Sequence, residues 1–208
     1  MANVLVINSS LSGAQSVSNK LTRQFADQLK VSVPSIEVKV RDIGSNPIPH
    51  LVPETVAGIR AEAITEAEKE ARALSDKLIA ELKEADLIVI GAPMYNFGIP
   101  STLKTWFDHV LRARVTFRYT EEGPEGLLGD KRAVVIESRA GVYSEGAATA
   151  MDSQEPHLRT LLGFMGITDV SFIRVEGLAF GPEAAAAAVE GAARQLRGIA
   201  GHELALAA

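Results

Sequence analysis

The chain has 208 residues, 47% hydrophobic and 23% charged, with a formal net charge of −5. That length suffices for a sizeable core and is most simply one domain spanning residues 1–208 of an ordinary soluble protein. The acidic balance, without a basic stripe, argues against a nucleic-acid partner, and the lack of cysteine removes disulfides, thiolate metal sites and cysteine nucleophiles.

The chain opens with "NVLVIN" (3–8), a short β-branched run that reads as a strand. Its four consecutive apolar residues are too few for a signal-peptide core or a membrane span, so the expected location is the cytoplasm, with no membrane partner. A serine-rich loop follows. Val17, Leu21, Phe25 and Leu29 then recur every four residues, the stripe of an amphipathic helix. "IEVKVRD" (36–42) alternates as a second strand, and "DIGSNPIPHLVPE" reads as an irregular excursion with three prolines. Thr65 and Glu68 form a capping box ahead of a helix carrying Ala71, Leu74, Leu78 and Leu82. "DLIVIGAP" (86–93) is apolar throughout, as a strand buried on both faces must be. A helix over 101–112, a strand over 131–138, a helix over 153–165, a strand over 169–177 and an alanine-rich helix from about 183 complete the series.

Strands alternating with helices predict a parallel sheet covered on both faces, with the ligand crevice beyond the carboxyl ends of the strands. Three loops meet there: those after Asn8, Gly91 and Ser138. The first offers hydroxyls at Ser9, Ser10, Ser12, Ser16 and Ser18, no lysine or arginine, and a helix amino terminus suited to an anion. Those serines serve equally as caps and turn formers. G-x-G-x-x-G is absent, which disfavours direct dinucleotide binding, although Asp42 could imitate a ribose-binding acid. In the second loop, six of the chain's eleven aromatics crowd into residues 95–119. Trp106 and Phe107 have the spacing of core residues, whereas Tyr95, Phe97, Phe117 and Tyr119 occupy loop-like sequence. Asn96 can donate to and accept from a ring bearing N–H and C=O groups. In the third loop, Gly141 admits close approach of the backbone to a ligand, and Gly146 reads as a turn. An anion cradle beside two loops suited to a flat polar ring describes FMN. Four scattered histidines, without H-E-x-x-H, give no metal site, and G-x-S-x-G and the Walker P-loop are both absent.

Through "VLVINSS", "SVSNKL", "APMYNF", "VTFRYTEEGPEGL", "FMGITDV" and "EGLAFGPE" the chain resembles the FMN-dependent NADH-azoreductase family, a group of flavodoxin-like NAD(P)H:quinone oxidoreductases. The resemblance implies a flavodoxin-like three-layer α/β/α sandwich with a five-stranded parallel sheet in the order 2-1-3-4-5. It implies FMN phosphate at Ser10, Ser16, Val17 and Ser18, and the isoalloxazine against Met94, Tyr95, Asn96, Phe97, Ser138, Arg139, Ala140 and Gly141. Ala140 replaces a glycine of the family pattern, and Tyr143 stands where some members carry histidine. Arg60, Phe117 and Tyr119 are expected near the NADH or substrate, with Tyr119 and Tyr143 as assisting groups and no nucleophile or acid–base pair. The implied activity is ping-pong hydride transfer from NADH, or NADPH, to azo compounds and quinones by a homodimer with shared active sites. A flavodoxin-type electron carrier is the rival reading.

Overall fold

The computed structural model describes residues 3–207, with side chains through Gly201. Five parallel strands, β1 (Asn3–Asn8), β2 (Glu37–Asp42), β3 (Leu87–Pro93), β6 (Arg132–Ser138) and β7 (Asp169–Val175), form one sheet in the order β2-β1-β3-β6-β7. Counted among themselves these strands run 2-1-3-4-5, as expected. Two short strands, β4 (Phe117–Thr120) and β5 (Gly123–Gly126), pair antiparallel in a separate hairpin, in sequence expected to be loop.

Strand period two divides the core. Leu5, Ile7, Ile88, Ile90, Ala133 and Val135 point to one face, where they meet α3 (Glu66–Glu84), α4 (Ser101–Val110) and α5 (Glu155–Phe164) through Leu78, Leu82, Leu103, Trp106, Phe107 and Leu162. Val4, Val6, Leu87, Val89, Val134 and Ile136 point to the other and pack on α1 (Val17–Ser32) and α6 (Pro182–Ala207). Every residue of β3 is buried, because β3 is central and covered on both sides.

The helix ends follow from local chemistry. Thr65 accepts the Glu68 amide while the Glu68 carboxylate takes the Thr65 amide, the capping box that starts α3. A short helix, α2 (Val56–Arg60), follows the irregular stretch 42–54 and was not expected; it spans five residues and is held by Arg72, which donates to the carbonyls of Gly58 and Ala61. Among the described residues no helix is long and apolar enough to cross a membrane.

Candidate functional site

At the carboxyl end of β1 the chain turns sharply. The Ser9 hydroxyl donates to the Gly91 carbonyl at 2.7 Å, fastening the first loop to β3, and Thr102 at the start of α4 donates to the Ser9 carbonyl at 3.0 Å. Ser10 is buried, with its hydroxyl 3.4 Å from the Tyr95 phenol, which also accepts the Leu11 amide at 3.1 Å. Ser16 is the N-cap of α1: its hydroxyl accepts the Asn19 amide at 3.1 Å and lies 3.1 Å from the Ser18 hydroxyl. The next two amides, those of Val17 and Ser18, have no partner among the described residues. The anion site expected from the sequence falls at this terminus, which offers two orphan N–H groups, the positive end of a 16-residue helix, and neutral hydroxyls around them. The expected ribose acid is otherwise engaged, since Asp42 accepts the Gly44 and Ser45 amides at 3.1 and 2.9 Å.

The second loop is a tight reversal. Tyr95 and Gly98 exchange backbone hydrogen bonds of 3.0 and 3.1 Å, and the two residues between them both have positive φ, 48° at Asn96 and 69° at Phe97. Such a turn normally takes Asn-Gly; asparagine tolerates the left-handed region, whereas phenylalanine there is strained. Tertiary contacts hold it. The Met94 amide donates to the Ser138 carbonyl at 2.9 Å, the Ser153 amide to the Phe97 carbonyl at 3.0 Å, and the Phe97 ring meets Tyr143 edge-on at 6.0 Å. The amides of Asn96 and Phe97 are unpaired among the described residues, and the Phe97 side chain remains 45% exposed.

The third loop departs from expectation at Arg139. Its amide donates to the Val175 carbonyl at 2.9 Å, and its side chain is 0% exposed, directed behind the loop. Both groups of Arg139 are thus engaged within the protein. The guanidinium donates to Glu137 at 2.8 Å, Gln154 at 3.0 Å and Glu176 at 3.0 Å, and pairs with Asp152 at 3.0 Å. The carbonyls of Arg139, Ala140 and Gly141 accept amides from Leu178, Ala179 and Gly177, while the amides of Ala140, Gly141 and Val142 have no partner among the described residues. Tyr143 and Ser144 donate their amides to Glu176 at 2.8 and 3.1 Å.

Gly141 also faces a side chain, beside the close approach to a ligand read off the sequence. A Cβ there would lie 3.1 Å from the Tyr143 hydroxyl and 3.2 Å from its ring, so Tyr143 would have to give way by a few tenths of an ångström. Gly141→Val displaces that ring from Phe97, and the expected result is at least about a tenfold weaker hold on flavin, read as flavin content of the purified variant.

The buried cluster behind the loop has its own electrostatics. Glu137 is fully buried, and its Oε1 has no partner. Burial raises its pKa to about 8 against the opposing pull of Arg139, helped by repulsion from Glu155 and Asp152. Glu155 and Glu176 move the other way. Burial would raise both, but Arg174 and Arg159 hold Glu155 down, and Ser144, the Tyr143 amide and Arg139 hold Glu176 down.

Arg60, Phe117 and Tyr119 are not part of this constellation within one chain. Arg60 and Tyr119 line a groove of about 650 Å³ with Arg72, Arg114 and Arg118, to which neither 94–97 nor 138–141 contributes. Phe117, expected near substrate, is instead core: it is 8% exposed and packs on Phe164 at 4.6 Å, leaving Tyr119, 73% exposed, as the accessible ring of the hairpin. The sequence reading had overlooked Thr102, Glu137, Gln154 and Glu176. Only Glu137 left a signal, a charge closing the otherwise apolar strand "AVVIES".

Residues 2–199 match the family described by its flavodoxin-like fold, and the chain belongs to that family. Within it, the chain is 54% identical to the FMN-dependent NADH:quinone oxidoreductase of Hyphomonas neptunium over 96% of both chains. It is 53% identical to the protein of the same name from Azotobacter vinelandii, over 87% of this chain and 90% of that one. Among solved structures, an azoreductase from Bacillus anthracis superposes with a TM-score of 0.88 at 32% identity, covering 96% of this chain and 99% of that one. An FMN-dependent NADH-azoreductase from the same species, solved in complex with FMN, also gives 0.88 at 25% identity, over 98% of this chain and 100% of that one.

Proposed function

We propose that the protein is an FMN-dependent NADH:quinone oxidoreductase that also reduces azo compounds, and that the three loops hold the cofactor. The observation that carries this reading is the strained turn at Asn96 and Phe97, held open between Ser138 and Ser153 beside a helix terminus with unpaired amides. Strain of this kind is kept where a ligand needs the geometry.

The donor set fits FMN. Val17 and Ser18 offer amides, and Ser10 and Ser16 offer hydroxyls, for a phosphate; hydrogen bonds to a charged group contribute roughly 1.5–3 kcal/mol each, so neutral donors suffice. Met94–Phe97 supply an edge and a ring for the isoalloxazine, and the free amides of Ala140 and Gly141 supply donors where negative charge grows on reduction. Bound FMN supplies two-electron hydride chemistry, taken from NADH and passed in a second half-reaction to the acceptor. The protein's part is to stack flat reactants at about 3–3.5 Å and to exclude water, for which Phe97 and Tyr143 are placed. The hydride supplies one of the two hydrogens that a quinone gains; the second arrives as a proton from solvent once the reduced product leaves the slot, so no side chain has to donate it. The choice of NADH over NADPH follows the names of the relatives.

The same reading makes the protein a cytoplasmic homodimer. Tyr119 and the arginine groove lie apart from the chain's own flavin loops, and in a homodimer with shared sites Arg60 and Tyr119 would serve the partner's site. Purified protein with NADH alone should then reduce a naphthoquinone and bleach a monoazo dye, with a flavin absorption spectrum and a dimer mass by light scattering. NADH oxidation that starts only when a separate reductase is added would establish the electron-carrier reading instead.

A further inference from the structure

A flat ring needs the loops after β3 and β6 at one separation. What fixes that separation lies behind them, out of solvent. Gln154, the fully buried residue preceding α5, reaches both strands: its Nε2 donates to the Ala92 carbonyl at 2.8 Å, and its Oε1 accepts from Arg139 Nε at 3.0 Å. Ala92 stands two residues before Met94, and Arg139 begins the third loop. Arg139 extends the tie to Glu137 and to Glu176, whose carboxylate holds the amides of Tyr143 and Ser144. The neighbour of Gln154 completes it, since the Ser153 amide holds the Phe97 carbonyl at 3.0 Å.

We propose that Gln154 and Arg139 are positioning residues that clamp the Met94–Phe97 turn to the 138–141 loop at the spacing the isoalloxazine occupies. Neither touches the ring. A buried charged cluster contributes little net stability compared with an apolar plug of the same volume, so stability alone gives no reason for one here. Its specific property is geometric: an amide with a donor at one end and an acceptor at the other fits one separation of Ala92 and Arg139, and both ends of the Gln154 amide and all three nitrogens of the Arg139 guanidinium are engaged. The clamp is also local to the flavin loops. Arg159, 54% exposed, touches the same cluster only through Glu155.

The test compares holoenzymes carrying Gln154→Leu and Gln154→Asn, with Arg159→Ala as a control outside the clamp. FMN release after dilution is followed by the return of flavin fluorescence, and the environment of the ring by visible circular dichroism. Both Gln154 variants should release FMN about tenfold faster or more, with an altered visible dichroism band, while Arg159→Ala matches the wild type. Gln154→Asn keeps both amide groups on a stem one methylene shorter, and it remains informative if the leucine variant does not fold. A folded Gln154 variant with the wild-type release rate and dichroism, whatever its melting temperature, overturns the proposal and leaves Gln154 a role in stability alone. The inference rests on the assignment of these loops to FMN. Wild-type protein that takes up no FMN overturns both, whereas wild-type protein that binds it beside unchanged variants overturns the clamp only.

Discussion

Ser16→Asp is expected to give a folded, colourless protein. Ser16 caps α1 by accepting the Asn19 amide at 3.1 Å, and an aspartate caps as well as a serine. A negative charge at this end of the helix also suits its dipole, so the melting temperature of the flavin-free protein should hold or rise slightly. Under the proposed assignment, the same charge stands where the phosphate of FMN would sit. Two unit charges about 4 Å apart at an effective dielectric of 20 repel by about 4 kcal/mol, and 1.4 kcal/mol is a factor of ten. Affinity for FMN should therefore fall by at least about a hundredfold, measured by quenching of flavin fluorescence on titration with the flavin-free variant. Riboflavin, which lacks the phosphate, should bind wild type and variant alike. A variant that purifies yellow with full flavin content places the anion elsewhere.

The second large effect is a pH dependence that Glu137→Gln removes. Around Arg139 four carboxylates, Glu137, Asp152, Glu155 and Glu176, face three guanidiniums, Arg139, Arg159 and Arg174. The surplus negative charge falls on Glu137, which is fully buried, has an orphan oxygen and a pKa raised to about 8 from an ordinary 4.5. The folded protein thus binds this proton more tightly than the unfolded chain does. The associated stability is complete below pH 4.5, declines as pH rises, and is lost above pH 8. At 1.36 kcal/mol per pH unit the whole window is worth on the order of 5 kcal/mol. Glutamine copies the protonated acid: its oxygen accepts from Arg139, and its nitrogen takes the orphan position. Unfolding free energies of wild type and Glu137→Gln from urea titration should coincide near pH 5 and diverge by several kcal/mol at pH 9, with the variant the more stable. Other titrating groups are common to both proteins and cancel in the difference. Parallel curves from pH 5 to pH 9 would show that Glu137 stays ionised.

The sheet was legible because each of its strands announces itself locally. β3 is apolar at successive positions, β2 alternates, and β6 is a β-branched run, so period and length were enough. The β4–β5 hairpin was not legible, because "GPEG" has almost no strand propensity. It is a strand by tertiary packing: Gly126 lies so close to Gly166 that a Cβ would come within 2.0 Å of the Gly166 nitrogen. Of the site, a serine-rich loop running into a helix terminus was readable from the sequence, and Ser16 and Asn96 were singled out through the family resemblance, but the left-handed turn at Asn96 and Phe97 was not foreseen. Nor was the burial of Arg139. "SRAG" reads as an exposed polar loop, and the groups that neutralise the arginine come from positions up to 37 residues away. Phe117 misled in the opposite direction, because its burial depends on Phe164, a partner no local pattern connects to it.

The three loops that converge at the carboxyl ends of β1, β3 and β6 are far apart along the chain: Ser9 and Gly91 alone bridge a separation of 82 positions. A prosthetic group held by all three ties the amino-terminal third of the polypeptide to its middle and its later part, and by mass action it shifts the folding equilibrium as well as supplying chemistry. Saturation at a hundred times the dissociation constant adds about 2.7 kcal/mol. Riboflavin supply in the producing cell should then govern not just how much of the protein works but how much of it survives proteolysis.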